Sequence, residues 1–260
     1  MCVAGTAQRN CEKEMPIAQK RRSPWPRRVV IIGVAWAMAA LLFVTIKDPT
    51  PKALAVITAL AASGLYTLIL YATRRLWVPR LTRRPVRNAI LLGVFNAAVV
   101  ETFFLVMEKV TGATGVAAHP NLIADLAITM PWYVPMIWTF VRVQNRHHFA
   151  TANVLLLAGL YESGADGLLA GWLLPVVTGK MAPLNLGFFL LLPGVMFWGF
   201  ILCYSSFLLP PAWVLEAARE PGESPAPPVP HAWRDAMKPL FWLIPYAAIA
   251  VPLMWLASGK

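Results

Sequence analysis

Charge is what this chain has least of. Only 13% of its 260 residues are Asp, Glu, Lys or Arg, against 58% that are hydrophobic. A soluble domain carries about twice that charged share, and one of this size has no interior large enough for so much apolar surface. Cysteine is almost absent as well. Cys2, Cys11 and Cys203 form no CxxC, which excludes a disulfide framework and a structural zinc site. Several signatures are also missing: the HExxH of zinc hydrolases, the phosphate loop GxxxxGK[ST], the GxSxG elbow and the GxGxxG fingerprint. Their absence argues against zinc-hydrolase, nucleotide-driven, serine-hydrolase and dinucleotide chemistry.

The apolar residues come in long continuous blocks. About 20 apolar residues in a helix cross a hydrocarbon core of roughly 30 Å. Backbone polar groups must be paired there, which leaves helices or closed barrels. Continuous rather than alternating hydrophobicity selects helices. The expected architecture is an all-α polytopic bundle of seven spans: Val29–Ile46, Ala53–Thr73, Asn88–Lys109, Asn121–Val141, Thr151–Val177, Leu184–Leu208 and Pro239–Ala257. Residues 1–28 read as a basic, disordered cytoplasmic tail and 29–260 as a single membrane domain. Within it, the Pro-rich stretch Leu209–Met237 reads as a flexible cytoplasmic loop. Val29–Ile46 is long for a cleaved signal sequence and reads as a retained signal-anchor.

The formal charge of +11 is unevenly placed. With the N-terminus inside, 18 of the 23 basic residues fall in cytoplasmic segments and five outside. Seven spans reproduce the positive-inside rule at every loop, with the C-terminus outside and the plasma membrane as location. The basic loops read as anchors for anionic inner-leaflet headgroups. No recognition fold accompanies them, so nucleic acid is not the expected partner.

Of the 12 acidic residues, Glu101, Asp125, Glu162 and Asp166 lie inside spans, and Glu108 lies at the end of one. A carboxylate in a bilayer costs about 3 kcal/mol on insertion scales and marks a pathway or a site. Glu162 and Asp166 stand four residues apart on one helix face, about 6 Å along the axis. Close carboxylates in low dielectric cannot all ionise, which makes a proton donor paired with an acceptor. The reading that follows assigns catalysis to Glu101, Glu162 and Asp166. Asp125, His119, Asn96 and Tyr161 are assigned to binding substrate or cation. No cofactor is indicated by motif; a hard divalent cation suits an all-carboxylate set. Glu108 beside Lys109 reads as a solvated interfacial acid, and His147 and His148 as interfacial, lipid-facing residues. In the fifth span Gly159, Ser163, Gly167 and Gly171 form a stripe of small residues that admits a close neighbour, either within the bundle or as a helix–helix or homo-oligomer contact.

Known seven-span families do not fit. A retinal protein needs a lysine in its last span, and Phe241–Ala257 has none; the seven-span histidine-rich hydrolases need membrane histidines that are missing. The functional expectation is a membrane-embedded enzyme acting on a lipid or isoprenoid-like substrate. A small proton- or cation-coupled transporter and a non-catalytic subunit of a membrane complex are the alternatives.

Overall fold

The computed structural model describes residues 25–165, 167, 194–219 and 231–257, and every regular element among them is a helix. Helix α1 spans Trp25–Lys47, α2 Pro51–Leu81, α3 Pro85–Thr111, α4 Leu122–His147 and α5 Thr151–Glu162. After a helical stretch at 194–199 come α6 (Ile201–Ala217), the short α7 (Ala232–Ala236), a 3-10 turn at Lys238–Trp242, and α8 (Leu243–Ala257). Helices α1 to α4 are each long and apolar enough to cross a membrane.

Local signals set the boundaries. Thr50 caps α2, its hydroxyl accepting from the Ala53 N–H at 3.2 Å, and Pro51 follows at the first helical position. Asn121 caps α4 by accepting from the N–H groups of Ile123 and Ala124. Each cap satisfies donors that the first helical turn leaves unpaired. Helix α3 ends on Gly112, whose φ of 70° is the left-handed stop that favours glycine.

The surface is apolar and the interior is partly polar. Ile31, Phe43, Leu65, Leu68, Leu91 and Phe95 each keep more than half of their surface exposed, while Ser63, Thr67, Asn96, Ser205 and Ser206 are buried. In water this arrangement would lay a large greasy coat against the solvent. It is stable where the surroundings are hydrocarbon and small or polar residues serve as contacts between helices. Four spanning-length helices and this coat among the described residues fit a membrane protein.

Helix α6 is the hub, packed on α2, α3 and α5, and α4 closes the group against α3. Glycine makes the approach possible. A Cβ on Gly93 would lie 2.7 Å from Ile137 and 3.1 Å from the carbonyl oxygen of Phe207, so α3 meets α4 and α6 at one point. A Cβ on Gly159 would lie 2.6 Å from the carbonyl oxygen of Phe197, which brings α5 against the 194–199 stretch. On the other flank the ring of Trp198 occupies the space over Gly33 of α1, and Trp36 lies over Gly194. Gly159 and Ser163 of the expected small-residue stripe fall within the described residues; Gly171 lies outside them.

The structure corrects the expected loop Leu209–Met237 at both of its described ends. Helix α6 runs on through Pro210 and Pro211 to Ala217, and all of Cys203–Leu215 is buried. Prolines count as breakers when helix propensity decides. Here burial against three neighbours holds the backbone, as neighbouring helices do in membrane bundles. At the other end Ala232–Ala236 is helical, with Asp235 buried. The expected spans Thr151–Val177 and Leu184–Leu208 run partly through residues outside those described. The expected seventh span, Pro239–Ala257, starts within the 3-10 turn and continues as the 15 residues of α8.

Two glycine substitutions test this packing. Gly159→Ala pushes a methyl group at a backbone oxygen and should cost about 1–3 kcal/mol, read as a lower melting temperature in detergent. Gly64→Ala meets only the flexible side chain of Leu202 at 3.3 Å and should melt close to the parent. Equal melting temperatures for parent and Gly159→Ala would contradict the contact between α5 and residues 194–199.

Candidate functional site

The centre of the bundle is a polar layer built from four helices. Tyr66 of α2 donates its hydroxyl to Asn96 Oδ1 of α3 at 2.8 Å. Tyr133 of α4 donates to Glu101 Oε1 of α3 at 2.6 Å. Trp132 of α4 donates its indole N–H to the Tyr204 hydroxyl of α6 at 3.3 Å. Thr67 of α2 and Ser205 of α6 share a hydrogen bond at 3.2 Å. Each step joins a different pair of helices, and together they close the ring α2–α3–α4–α6.

Aromatic rings seal this layer. Tyr133 and Tyr204 both pack on Phe207, with ring centroids 5.3 and 4.6 Å away. Glu101 is 9% exposed and Asn96 fully buried. The Asn96 Nδ2 has no hydrogen-bond partner among the described residues. A carboxyl group held by a phenol can take up or release a proton and can orient a polar group brought to it.

Glu162 sits elsewhere, at the end of α5, and is only 1% exposed. Immediately after it, Ser163–Ala165 wind as a π-helix. Such wide turns are rare and frequent at functional sites. Tyr161, its neighbour, packs edge-on to Phe140 and donates its hydroxyl to the Ala236 carbonyl at 2.6 Å. That bond ties α5 to α7. Asp166 lies outside the described residues.

The remaining acids form the α3–α4 connection. Glu108 Oε2 accepts from the N–H groups of Val116 and Ala117 at 2.6 and 2.8 Å. Asp125 Oδ1 accepts from the His119 N–H at 3.1 Å, and His119 Nδ1 accepts from the Asn121 N–H at 3.0 Å. Two buried carboxylates thus replace the missing backbone partners of a short connection. This corrects the expectation for Glu108: it is 6% exposed and structural, not solvated.

The structure therefore turns Asn96 of α3 toward α2 and Glu101 toward α4, gathers Asp125, His119 and Glu108 at the α3–α4 connection, and leaves Glu162 and Tyr161 on α5. Among the described residues no three His, Cys, Asp or Glu side chains stand together as metal ligands.

Sequence reasoning missed a cluster at the opposite end. Asp235 Oδ1 accepts from Lys238 Nζ at 2.8 Å, and its Oδ2 bonds His147 Nε2 at 2.9 Å, with Arg146 at 3.9 Å. The His147 side chain is 3% exposed, so it faces protein and not lipid as expected. The only signal was an acid in an otherwise loop-like stretch, and composition gave no reason to bury it. Tyr133, Trp132 and Tyr204 were missed for a different reason: an aromatic in an apolar run reads as lipid-facing or core, whatever its polar tip reaches.

Lys238 first and His147 second hold the Asp235 carboxyl down at about 2. Because this value is depressed from the ordinary range near ~3.9, the stabilisation is complete above that range. It is lost as pH falls through about 2. The protection factors of the amides across residues 232–242, taken relative to the intrinsic exchange rate at each pH, should fall between about pH 4 and pH 2. Asp235→Asn should show raised exchange there already at neutral pH. Equal protection in variant and parent at neutral pH would remove Asp235 as the tie between α4 and α7.

No protein-family model, no curated protein and no solved structure matches this chain.

Proposed function

We propose that this is an integral membrane protein of seven spans, its basic end in the cytoplasm and its C-terminus outside, acting in the plasma membrane as an enzyme on a lipid or isoprenoid-like substrate. The observation that carries this reading is Glu162, buried where α5 passes from α to π winding. A wide turn gives up regular helix hydrogen bonding, and a bundle keeps such a defect where it serves a site. In this reading Asp166, four residues further along the sequence, is the second member of an acid–base pair with Glu162. Glu101, held by Tyr133, orients the polar end of the substrate together with Asn96. In this scheme Asp125, His119 and Tyr161 hold the scaffold, a reading their hydrogen bonds support.

The polar ring supports a second reading. Hydrogen bonds between side chains of α2, α3, α4 and α6 link the four helices in a ring that includes Glu101. In a proton- or cation-coupled transporter the same layer is the point at which access changes sides, with the prolines of α4, Pro131 and Pro135, as the flexible positions.

Proteoliposomes made from a total polar lipid extract separate the two. The parent should convert a lipid species, seen by mass spectrometry. Glu162→Gln and Asp166→Asn should each lower that turnover about 100-fold or more while keeping helix content and melting temperature. Full turnover in Glu162→Gln would remove the acid–base assignment. An unaltered lipid profile combined with proton entry into pyranine-loaded vesicles, lost in Glu101→Gln, would replace the enzyme with the transporter.

A further inference from the structure

We infer that the arginines of the α2–α3 elbow form a docking surface for the anionic phospholipid headgroups of the leaflet at the basic end. Helix α2 has 31 residues, about 46 Å at 1.5 Å per residue. That exceeds a hydrocarbon core of roughly 30 Å by about ten residues. Two cation–aromatic pairs mark where the core ends. The Arg74 guanidinium lies 3.7 Å from the ring centre of Tyr71, and that of Arg142 4.0 Å from the ring of Trp138. Trp213 joins this belt, its ring 5.6 Å from Tyr71 and 6.3 Å from Trp77. Aromatic rings with a polar or cationic partner settle at the headgroup level.

At and beyond that belt, Arg75, Arg80, Arg83, Arg84 and Arg87 are all exposed. Among the described residues none of them pairs with a carboxylate, and the sequence holds no acid between Asp48 and Glu101. Asp235, the buried acid at this end, is committed to Lys238 and His147. Every basic residue of the elbow is arginine and none is lysine. The guanidinium fork matches phosphate oxygens two at a time, where an ammonium acts as a point charge. Depth decides the occupant: the belt sets these forks at and just beyond the level of the lipid headgroups, whereas a free anion or a nucleic acid would have to come to them from solution.

The test uses the full chain in nanodiscs of phosphatidylcholine with a minor share of phosphatidylglycerol, and spin-labelled lipids that report the shell around the protein. Phosphatidylglycerol should be enriched over phosphatidylcholine at least about threefold at low salt, falling toward parity near ~1 M salt. The variant R80Q/R83Q/R84Q/R87Q should lose most of that enrichment with unchanged helix content, and R80K/R83K/R84K/R87K should retain part of it. Parity in the parent at low salt, or undiminished enrichment in the glutamine variant, would overturn the proposal. So would displacement of the lipid by inorganic phosphate or by an RNA homopolymer, which would make the surface a site for soluble anions. Should the glutamine variant fail to fold, the parent's salt dependence and the lysine variant decide the question.

Discussion

Four side-chain hydrogen bonds closing a ring through α2, α3, α4 and α6 are the constraint on which the described structure depends. Lipid tails are as apolar as leucine, so burying leucine between membrane helices gains little over leaving it outside. What distinguishes the right helix neighbours is close backbone approach and the pairing of polar groups. Each such bond contributes only about 0.6 kcal/mol on average, but a ring in which each bond joins a different helix pair fixes register for all four at once. A slide of α3 along its axis would break its bonds to Tyr66 and Tyr133 together. Gly93 explains why the ring can form, since it lets α3 settle against Ile137 and the Phe207 carbonyl.

The acids follow from the same constraint. A buried carboxylate persists when hydrogen-bond donors reach it, and this fold supplies donors in distinct places. At the α3–α4 connection they are backbone N–H groups, which Glu108 and Asp125 collect. In the central layer the donor is the Tyr133 hydroxyl. At the basic end it is the Lys238 ammonium, joined by the imidazole of His147. An acid that collects backbone N–H groups organises a loop and is poorly placed to pass on a proton. An acid bonded to a phenol has a partner that can itself exchange a proton, which sets Glu101 apart from Asp125.

Spanning helices α1 to α4 were legible in the sequence because hydropathy is a sum over about 20 residues and tolerates local exceptions. Gly159 was legible as a packing position because small residues at every fourth place have one physical use in a membrane helix. Glu101 and Glu162 were legible as buried because a charge in an apolar run has nowhere else to go. Their partners were not. Nothing in the spacing of α3 and α4 tells which aromatic of α4 presents a hydroxyl to Glu101, since that depends on where the two helices cross. The extension of α6 through Pro210 and Pro211 was hidden for a related reason. Composition reports what a segment does alone, and this one is helical because its neighbours bury it.

The two ends of the bundle are built on opposite principles, and that bears on how the centre could work. The α3–α4 connection is held by carboxylates bonded to amide hydrogens, contacts that fix backbone and leave little freedom. The basic end is held by one aspartate serving side chains on separate elements, His147 of α4 and Lys238 of the 3-10 turn. Side-chain ties of this kind can be remade in another arrangement without unfolding a helix. Tyr161 carries the link inward, because its bond to the Ala236 carbonyl ties α7 to the turn of α5 that holds Glu162. A shift of α7 against α4 would therefore be felt at Glu162 before it reached Glu101, whose partner Tyr133 lies deeper along α4.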